Sequence, residues 1–253
     1  MLVSFCGSMS ISTAPKKVNR EYYRITIWHF KSAEQKQELD NYLENAYLPA
    51  LRRLGVKNIG AFTPIANDTA VDKRVFIIVP RGSLESIAEL PAKLLKDASY
   101  QDAAKNYMDA VYTNPPFTRM ENILLYAFPD APVLSLPNLK SAKADRVYEF
   151  RSYESPTEKL FRNKVQMFNE GGEVALFKRL NFNAIFYAEV IAGGSMPNLI
   201  YMTSFENMDD RNAHWKIFGA DPEWKKLSSD PAYQHNVSRS EIILMKAAGY
   251  SDY

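Results

Sequence analysis

From Tyr22 the chain alternates. Tyr23, Ile25 and Ile27 fall on one side and Tyr22, Arg24, Thr26 and Trp28 on the other, the two-residue period of a half-buried strand over residues 21–29. The period then lengthens. After a Ser32/Gln35 capping pair, Leu39, Tyr42, Leu43, Ala46, Tyr47, Ala50, Leu51 and Leu54 recur at steps of three and four, which predicts an amphipathic helix laid on the sheet. Strands are predicted at 56–66 and 73–80 around an Asn67-Asp68 turn, then a helical region from Ser83 and a strand at 117–127. The second half runs the same way. A strand around Tyr148 to Tyr153 leads to Ser155-Pro156-Thr157-Glu158, where Ser155 can cap and Pro156 can take the first helical position. Leu160, Phe161, Val165, Phe168, Ala175, Leu176 and Leu180 continue the apolar face. Strands at 182–191 and 197–206 flank Gly193-Gly194-Ser195, a helical region starts at Asn207, and a strand closes the half at 238–247.

The two halves are two diverged copies of one unit. Arg119-Met120-Glu121-Asn122-Ile123-Leu124-Leu125 and Arg239-Ser240-Glu241-Ile242-Ile243-Leu244-Met245 share Arg-x-Glu-x-Ile-Leu-apolar, and each follows a Tyr-Gln, at Tyr100-Gln101 and Tyr233-Gln234. Glu44 to Glu170 and Leu54 to Leu180 are both steps of 126, whereas Tyr100 to Tyr233 is 133 and Glu121 to Glu241 is 120. A constant step across the long helix and a drifting one beyond it are what loop insertions and deletions leave.

The order β-α-β-β-α-β in each half predicts an α+β fold of two ferredoxin-like repeats. In each, a sheet with helices on one face must cover its other face, and packing sheet on sheet does so, giving the equivalent of a dimeric α/β barrel in a single chain. On this reading Tyr22, Arg24, Thr26 and Trp28 point away from the helix, as do Val147, Glu149, Arg151 and Tyr153. Arg24, Glu149 and Arg151 would then form an inner ionic network with Arg119, Glu121, Arg239 and Glu241. The units are expected at 21–129 and 146–253, joined by 130–145, with 1–20 a leader or disordered segment.

Composition narrows the class. With 46% hydrophobic and 24% charged residues the chain is globular. Its 31 basic and 29 acidic residues are interspersed, so no field steers nucleic acid, and no nucleic-acid partner is expected. No apolar run suits a transmembrane segment. The uncharged start, with Ser12-x-Ala14 before Pro15, reads either as the tail of an export signal or as a disordered terminus. The compartment, exported or cytoplasmic, is left open. Cys6 is the only cysteine and lies in that stretch, so disulfides and thiol catalysis are not expected of the folded part.

Two motifs carry a resemblance. Asn163-Lys164-Val165-Gln166-Met167-Phe168-Asn169-Glu170-Gly171-Gly172-Glu173-Val174-Ala175-Leu176-Phe177 and His214-Trp215-Lys216-Ile217-Phe218-Gly219-Ala220-Asp221-Pro222-Glu223-Trp224 look like the NIPSNAP family, a likeness that extends over residues 21–253. It implies the dimeric α/β barrel fold and brings no agreed catalytic set. The mitochondrial relatives are linked to vesicle traffic and mitophagy signalling.

The candidate chemistry sits in the second half. Gly171-Gly172 interrupts a helix at a cost of roughly 1 kcal/mol per glycine relative to alanine. The first half has Pro49 near the same place, so the fault either bends the helix or opens it to a ligand. Asn169, Glu170, Gly171, Gly172 and Glu173 with His214, Trp215 and Trp224 are the candidate ligand-binding residues, and core packing of Trp215, Phe218 and Trp224 is the competing explanation. No catalytic set can be named, and no cofactor or metal is expected, since His29, His214 and His235 lack ligand spacing. Arg119/Glu121 and Arg239/Glu241 read as structural ion pairs. A small-ligand-binding or scaffolding module is the leading function, a cofactor-independent monooxygenase-like or isomerase-like enzyme the alternative. A homo-oligomer is left open.

Overall fold

The computed structural model describes residues 19–253. The expectations for the export signal and Cys6 fall on residues 1–18, outside the described residues. Eight strands, β1 (Tyr22–Phe30), β2 (Gly60–Pro64), β3 (Lys73–Arg81), β4 (Arg119–Ala127), β5 (Val147–Glu154), β6 (Phe186–Ala192), β7 (Asn198–Phe205) and β8 (Arg239–Ala247), close into one barrel in the order β1-β3-β2-β8-β5-β7-β6-β4. Every pairing is antiparallel. The first half supplies β4-β1-β3-β2 and the second β8-β5-β7-β6, joined at β2–β8 and β4–β6. Closure leaves no free edge to template aggregation.

Helices cover the outside. Those of the first half are α1 (Ala33–Tyr42), α2 (Leu48–Arg53), α3 (Leu84–Ala88), α4 (Leu90–Leu94), α5 (Ala98–Ala103) and α6 (Lys105–Met108), with a π-helical turn, Leu43–Tyr47, between α1 and α2. Those of the second are α7 (Glu158–Phe168), α8 (Glu173–Arg179), α9 (Met208–Ala220) and α10 (Pro222–Ser229). The predicted cap Ser32 accepts a backbone N–H of the first turn, as do Ser83 and Asn207, where the second helical regions are expected to begin. At α7 the cap is Thr157 rather than Ser155. Thr157 Oγ1 accepts the Leu160 N–H at 3.2 Å, while the Ser155 hydroxyl, two residues earlier, donates to the Asn236 carbonyl at 2.7 Å. No helix among the described residues is long and apolar enough to cross a membrane.

The barrel is filled. Tyr23, Ile25, Ile27, Phe76, Ile78, Tyr148, Phe150, Phe186, Ile200, Met202, Ile243 and Met245 form one cluster. Its rings meet across the halves, Phe62 on Tyr148 at 4.8 Å, Tyr23 on Phe186 at 5.2 Å and Phe76 on Phe150 at 5.6 Å. Two further clusters lie between barrel and helices, one for each half.

The face assignment in the first strand of each half is the reverse of the expected one. Tyr23, Ile25 and Ile27 fill the barrel, while Trp28 packs under the helices, with Arg24 and Thr26 on its face. Glu149, Arg151 and Tyr153 likewise face helices, Glu149 and Arg151 meeting α9 through Arg211 and Trp215. The expected inner network is therefore dispersed, with Arg24 under the helices of the first half, Glu149 and Arg151 under those of the second, Arg119, Glu121 and Glu241 at the barrel mouth and Arg239 turned to Glu154. The physical reason is that a barrel strand is covered on both sides, so both alternating sets are apolar or aromatic, and period alone does not say which set turns inward.

The connection between halves is pinned at several points. Leu134 N–H donates to Glu21 at 2.7 Å, Ser135 N–H to the Ile185 carbonyl at 2.9 Å, and Lys246 to the Ala144 and Asp145 carbonyls at 2.8 Å. Glu206, just past β7, accepts the N–H groups of Lys140 and Ser141 at 2.7–3.0 Å. These bonds hold its pKa down at about 2. A depressed carboxyl contributes above its unfolded pKa of roughly 4.3 and loses that contribution as pH falls through the folded value. Protection of the Lys140 and Ser141 amides, their exchange rate taken relative to the intrinsic rate at the same pH, is accordingly high at pH 5 to 7 and falls toward pH 2, and Glu206→Gln lowers it at pH 5 to 7.

Candidate functional site

The long helix is faulted at the same place in both halves, in two different ways. In the first half it stays continuous through the π turn at Leu43–Tyr47, the kind of one-residue insertion often found at functional sites. In the second half it breaks between α7 and α8. There the Gly171 N–H reaches the Gln166 carbonyl at 3.0 Å, Gly172 takes a left-handed φ of 86°, and a Cβ on Gly171 would lie 2.4 Å from the Met167 carbonyl oxygen. Only glycine fits that chain path. By the constant step of 126 along the helix, Tyr47 and Glu173 leave the fault at equivalent positions, and each turns toward the sheet.

In the second half the space under the helices is packed with paired charges and rings. Glu149, 0% exposed at its side chain, accepts from Arg151 Nε at 2.8 Å, Arg211 Nε at 2.9 Å and Nη2 at 2.8 Å, and Trp215 Nε1 at 2.7 Å. Burial pushes its pKa up, but these bonds and the two guanidinium charges more than cancel that and hold it below the ordinary value. Glu173, equally buried, has one cation, Lys164 at 3.0 Å. Burial there outweighs the single partner and raises its pKa. Lys164 also lies 4.7 Å from the Phe168 ring centroid. Two buried carboxylates in one cluster thus move oppositely because one has two guanidiniums and the other a lone ammonium.

The candidate residues named from sequence are not brought to one cavity. Asn169 caps α7, its Oδ1 accepting from Asp130 N–H at 3.2 Å and its amide donating to the Val165 carbonyl at 2.8 Å. Glu170 accepts from Gln166 at 2.7 Å. These two border a surface groove of about 260 Å³, while Gly171 and Gly172 border another of about 420 Å³ against α10. Glu173 is turned inward to Lys164. His214 Nδ1 lies 2.8 Å from the Asp210 carbonyl oxygen and its ring packs on Phe182 and Phe205. Trp215 sits on Phe218 at 5.4 Å, and Phe218 on Trp224 at 4.5 Å. Neither groove is lined by His214, Trp215 or Trp224.

The equivalent space in the first half is an apolar groove of about 310 Å³, between the outer face of β1 and β4 and the helices α4 to α6. Its floor is Arg24, Thr26 and Trp28, its walls Tyr42, Tyr47, Tyr100 and Tyr107, and its rim Leu95, Met108, Met120 and Asn122. Trp28 Nε1 donates to the Tyr107 hydroxyl at 2.9 Å, the Tyr42 and Tyr100 hydroxyls are 3.0 Å apart, and Thr26 donates to Asn122 Oδ1 at 2.7 Å. The rings of Tyr42 and Tyr107 are parallel within 6° and stacked at 3.7 Å. Arg24 Nη2 donates to the Tyr47 hydroxyl, and its Nε is buried without a partner. Burial pushes the phenols upward, Tyr107 to about 12 and Tyr42 further. Sequence reasoning missed this groove because its residues come from seven elements. The usable signals were Pro49 at the fault and Arg24 in an otherwise apolar strand.

A third polar cluster closes the barrel mouth. His29 places Nδ1 2.7 Å from Asp72 and Nε2 3.2 Å from Glu121, Arg119 pairs with Glu121 at 2.7 Å, and Arg74 with Glu241 at 3.3 Å. Arg239 turns instead to Glu154 at 2.8 Å. Among the described residues no group of three His, Cys, Asp or Glu is arranged to hold a metal ion.

Residues 148–252 match the NIPSNAP family model. Among solved structures, a "putative monooxygenase" from Lactobacillus acidophilus superposes with a TM-score of 0.58 at 10% identity, over 90% of this chain and 94% of its own. Another "putative monooxygenase", from Fusobacterium nucleatum, gives 0.56 at 7% identity over 91% and 94%. A NIPSNAP family protein from Agrobacterium tumefaciens matches at 19% identity over 46% of this chain and 97% of its own, with a TM-score of 0.38. The first two share the barrel fold with this chain. Comparison with curated proteins gives no match.

Proposed function

We propose, for a chain whose residues 148–252 are a NIPSNAP domain, that it is a small-ligand-binding module built from two ferredoxin-like repeats, 21–129 and 146–253, in which the halves have taken different roles. The repeats pack as the single-chain equivalent of a dimeric α/β barrel. The second repeat is the structural half, its inter-layer space filled by Glu149, Arg151, Arg211 and Trp215. The first is the binding half. The observation that carries this reading is the groove of about 310 Å³ over Arg24, apolar, of ligand size and equipped with a few convergent polar groups. The candidate residues Asn169 to Glu173, His214, Trp215 and Trp224 then support the fold rather than hold the ligand.

The alternative is a cofactor-independent oxygenase, a reading supported by the fold shared with the "putative monooxygenase" structures and with an anthrone oxidase-like protein that aligns at a TM-score of 0.53 over 90% of this chain. The raised phenol pKa values favour binding. Tyr42 and Tyr107 keep their protons through the neutral range, which suits hydrogen-bond donation better than proton abstraction. Methionine methyl NMR separates site from bystanders. A panel of one- and two-ring aromatics is expected to shift the Met108 and Met120 resonances at the groove rim and leave Met167, buried on the inner side of α7, in place. Shifts confined to the second half would sink the assignment, and consumption of dissolved oxygen on adding an anthrone would establish the enzyme instead.

A further inference from the structure

Arg24 and Glu149 occupy the same place in the two halves. Arg24 lies opposite Val79 of β3 and Leu124 of β4, and Glu149 opposite Thr203 of β7 and Leu244 of β8. The two positions carry opposite charges and are satisfied very differently. Glu149 accepts four hydrogen bonds from two arginines and a tryptophan. Arg24 has one phenol as partner and a buried Nε with none, and among the described residues no carboxylate bridges to it. The helix carboxylate Glu38 lines a different groove, with Asn41, Lys105 and Asn106. A guanidinium over an apolar groove with neither counterion nor water-facing Nε is costly to keep. In the second half α9 supplies the counter-charges from within, whereas the first half leaves that place open.

We propose that the groove binds a planar, singly anionic aromatic molecule of one or two rings, an aryl carboxylate, whose carboxylate is the counterion that Arg24 lacks. This rests on the groove being the ligand site. The Arg24 guanidinium, on the groove floor, offers the charge and the N–H donors that fix the carboxylate. The flat walls of Trp28, Tyr42 and Tyr107 accept a ring face or edge, and the half-exposed Met108 and Met120 close over its far side with adaptable thioethers. Tyrosine and tryptophan rings alone would also suit an organic cation, but the charge of Arg24 on the same floor excludes one.

The test compares three isosteres, 2-naphthoate, 2-naphthalenemethanol and 2-naphthylmethylammonium, by calorimetry on the full chain. The carboxylate is expected to bind at least about tenfold tighter than the alcohol, the gain typical of a hydrogen bond to a charged group, and the ammonium weakest. Arg24→Gln removes that preference and leaves the affinity for the alcohol within about threefold. Asn122→Asp is the second variant. Asn122 is an exposed residue of the groove, so its exchange spares the fold while giving Arg24 an internal counterion, and it is expected to abolish the naphthoate preference. Equal binding of carboxylate and alcohol, or a preference that survives both variants, overturns the inference while leaving the groove as the site. Absence of binding by all three overturns the groove reading as well.

Discussion

Replacing Glu149 by alanine is expected to cost the protein about 3–5 kcal/mol, the range for breaking a buried charge pair from one side. The carboxylate is wholly buried and accepts from Arg151, Arg211 and Trp215. Its removal leaves Arg151 stacked 3.7 Å over Trp215 with its charge unmatched and the indole N–H without an acceptor. Arg211, on the more exposed helix α9, can turn partly to solvent, which places the loss toward the lower end. Because the folded pKa of Glu149 is depressed, its contribution is complete above the unfolded value of roughly 4.3 and disappears as pH falls through the folded one. Denaturant unfolding at pH 7 and at pH 3 tests both parts. The gap between wild type and Glu149→Ala should be wide at pH 7 and narrower at pH 3. A loss below about 1 kcal/mol at pH 7 would show that the arginines find other partners and that the network is a surface-like ion pair.

An isolated second half, residues 146–253, should not persist as a folded monomer. Its inner face carries Tyr148, Phe150, Phe186, Ile200, Met202, Ile243 and Met245, which in the whole chain are covered by Phe62, Phe76 and Tyr23 of the first half. Exposing large apolar side chains costs about 1.5–3 kcal/mol each, so uncovering these residues costs as much as or more than the roughly 5–15 kcal/mol that holds an ordinary domain together. The separated half also bares β8 and β6, the strands that pair with β2 and β4. Size-exclusion chromatography with light scattering is expected to find precipitate or two associated copies, the second copy restoring the missing sheet. A soluble monomer with a cooperative thermal transition would show instead that each half owns a complete core.

The groove and the barrel were legible to different degrees. Strand and helix periods, the cap Ser32, the helix starts at Ser83 and Asn207, and the Arg-x-Glu-x-Ile-Leu recurrence all depend on neighbours within a few residues or on a comparison of the chain with itself. The order of elements could therefore be read in advance, and with it the place of the helix fault. How the fault is resolved could not. Pro49 with the π turn keeps one helix continuous and aims Tyr47 at Arg24, whereas Gly171 and Gly172 break the other and send Glu173 to Lys164. Both outcomes depend on what lies beneath the helix on the sheet.

What the sequence by itself determined was the set of residues sharing a strand face, the helix starts and the order of elements. What only the tertiary structure decided was which strand face turns inward, which half keeps an open space, and which charges find partners. Tyr23, Ile25 and Ile27 went to the apolar barrel interior, while Arg24 and Glu149 went under the helices, where Tyr47, Arg211 and Trp215 can reach them. A two-residue period is unchanged when a strand is turned over, and a charge is satisfied by groups far away in sequence, such as Arg211 some sixty residues from Glu149. Those are the quantities that closing the barrel sets, and local pattern does not contain them.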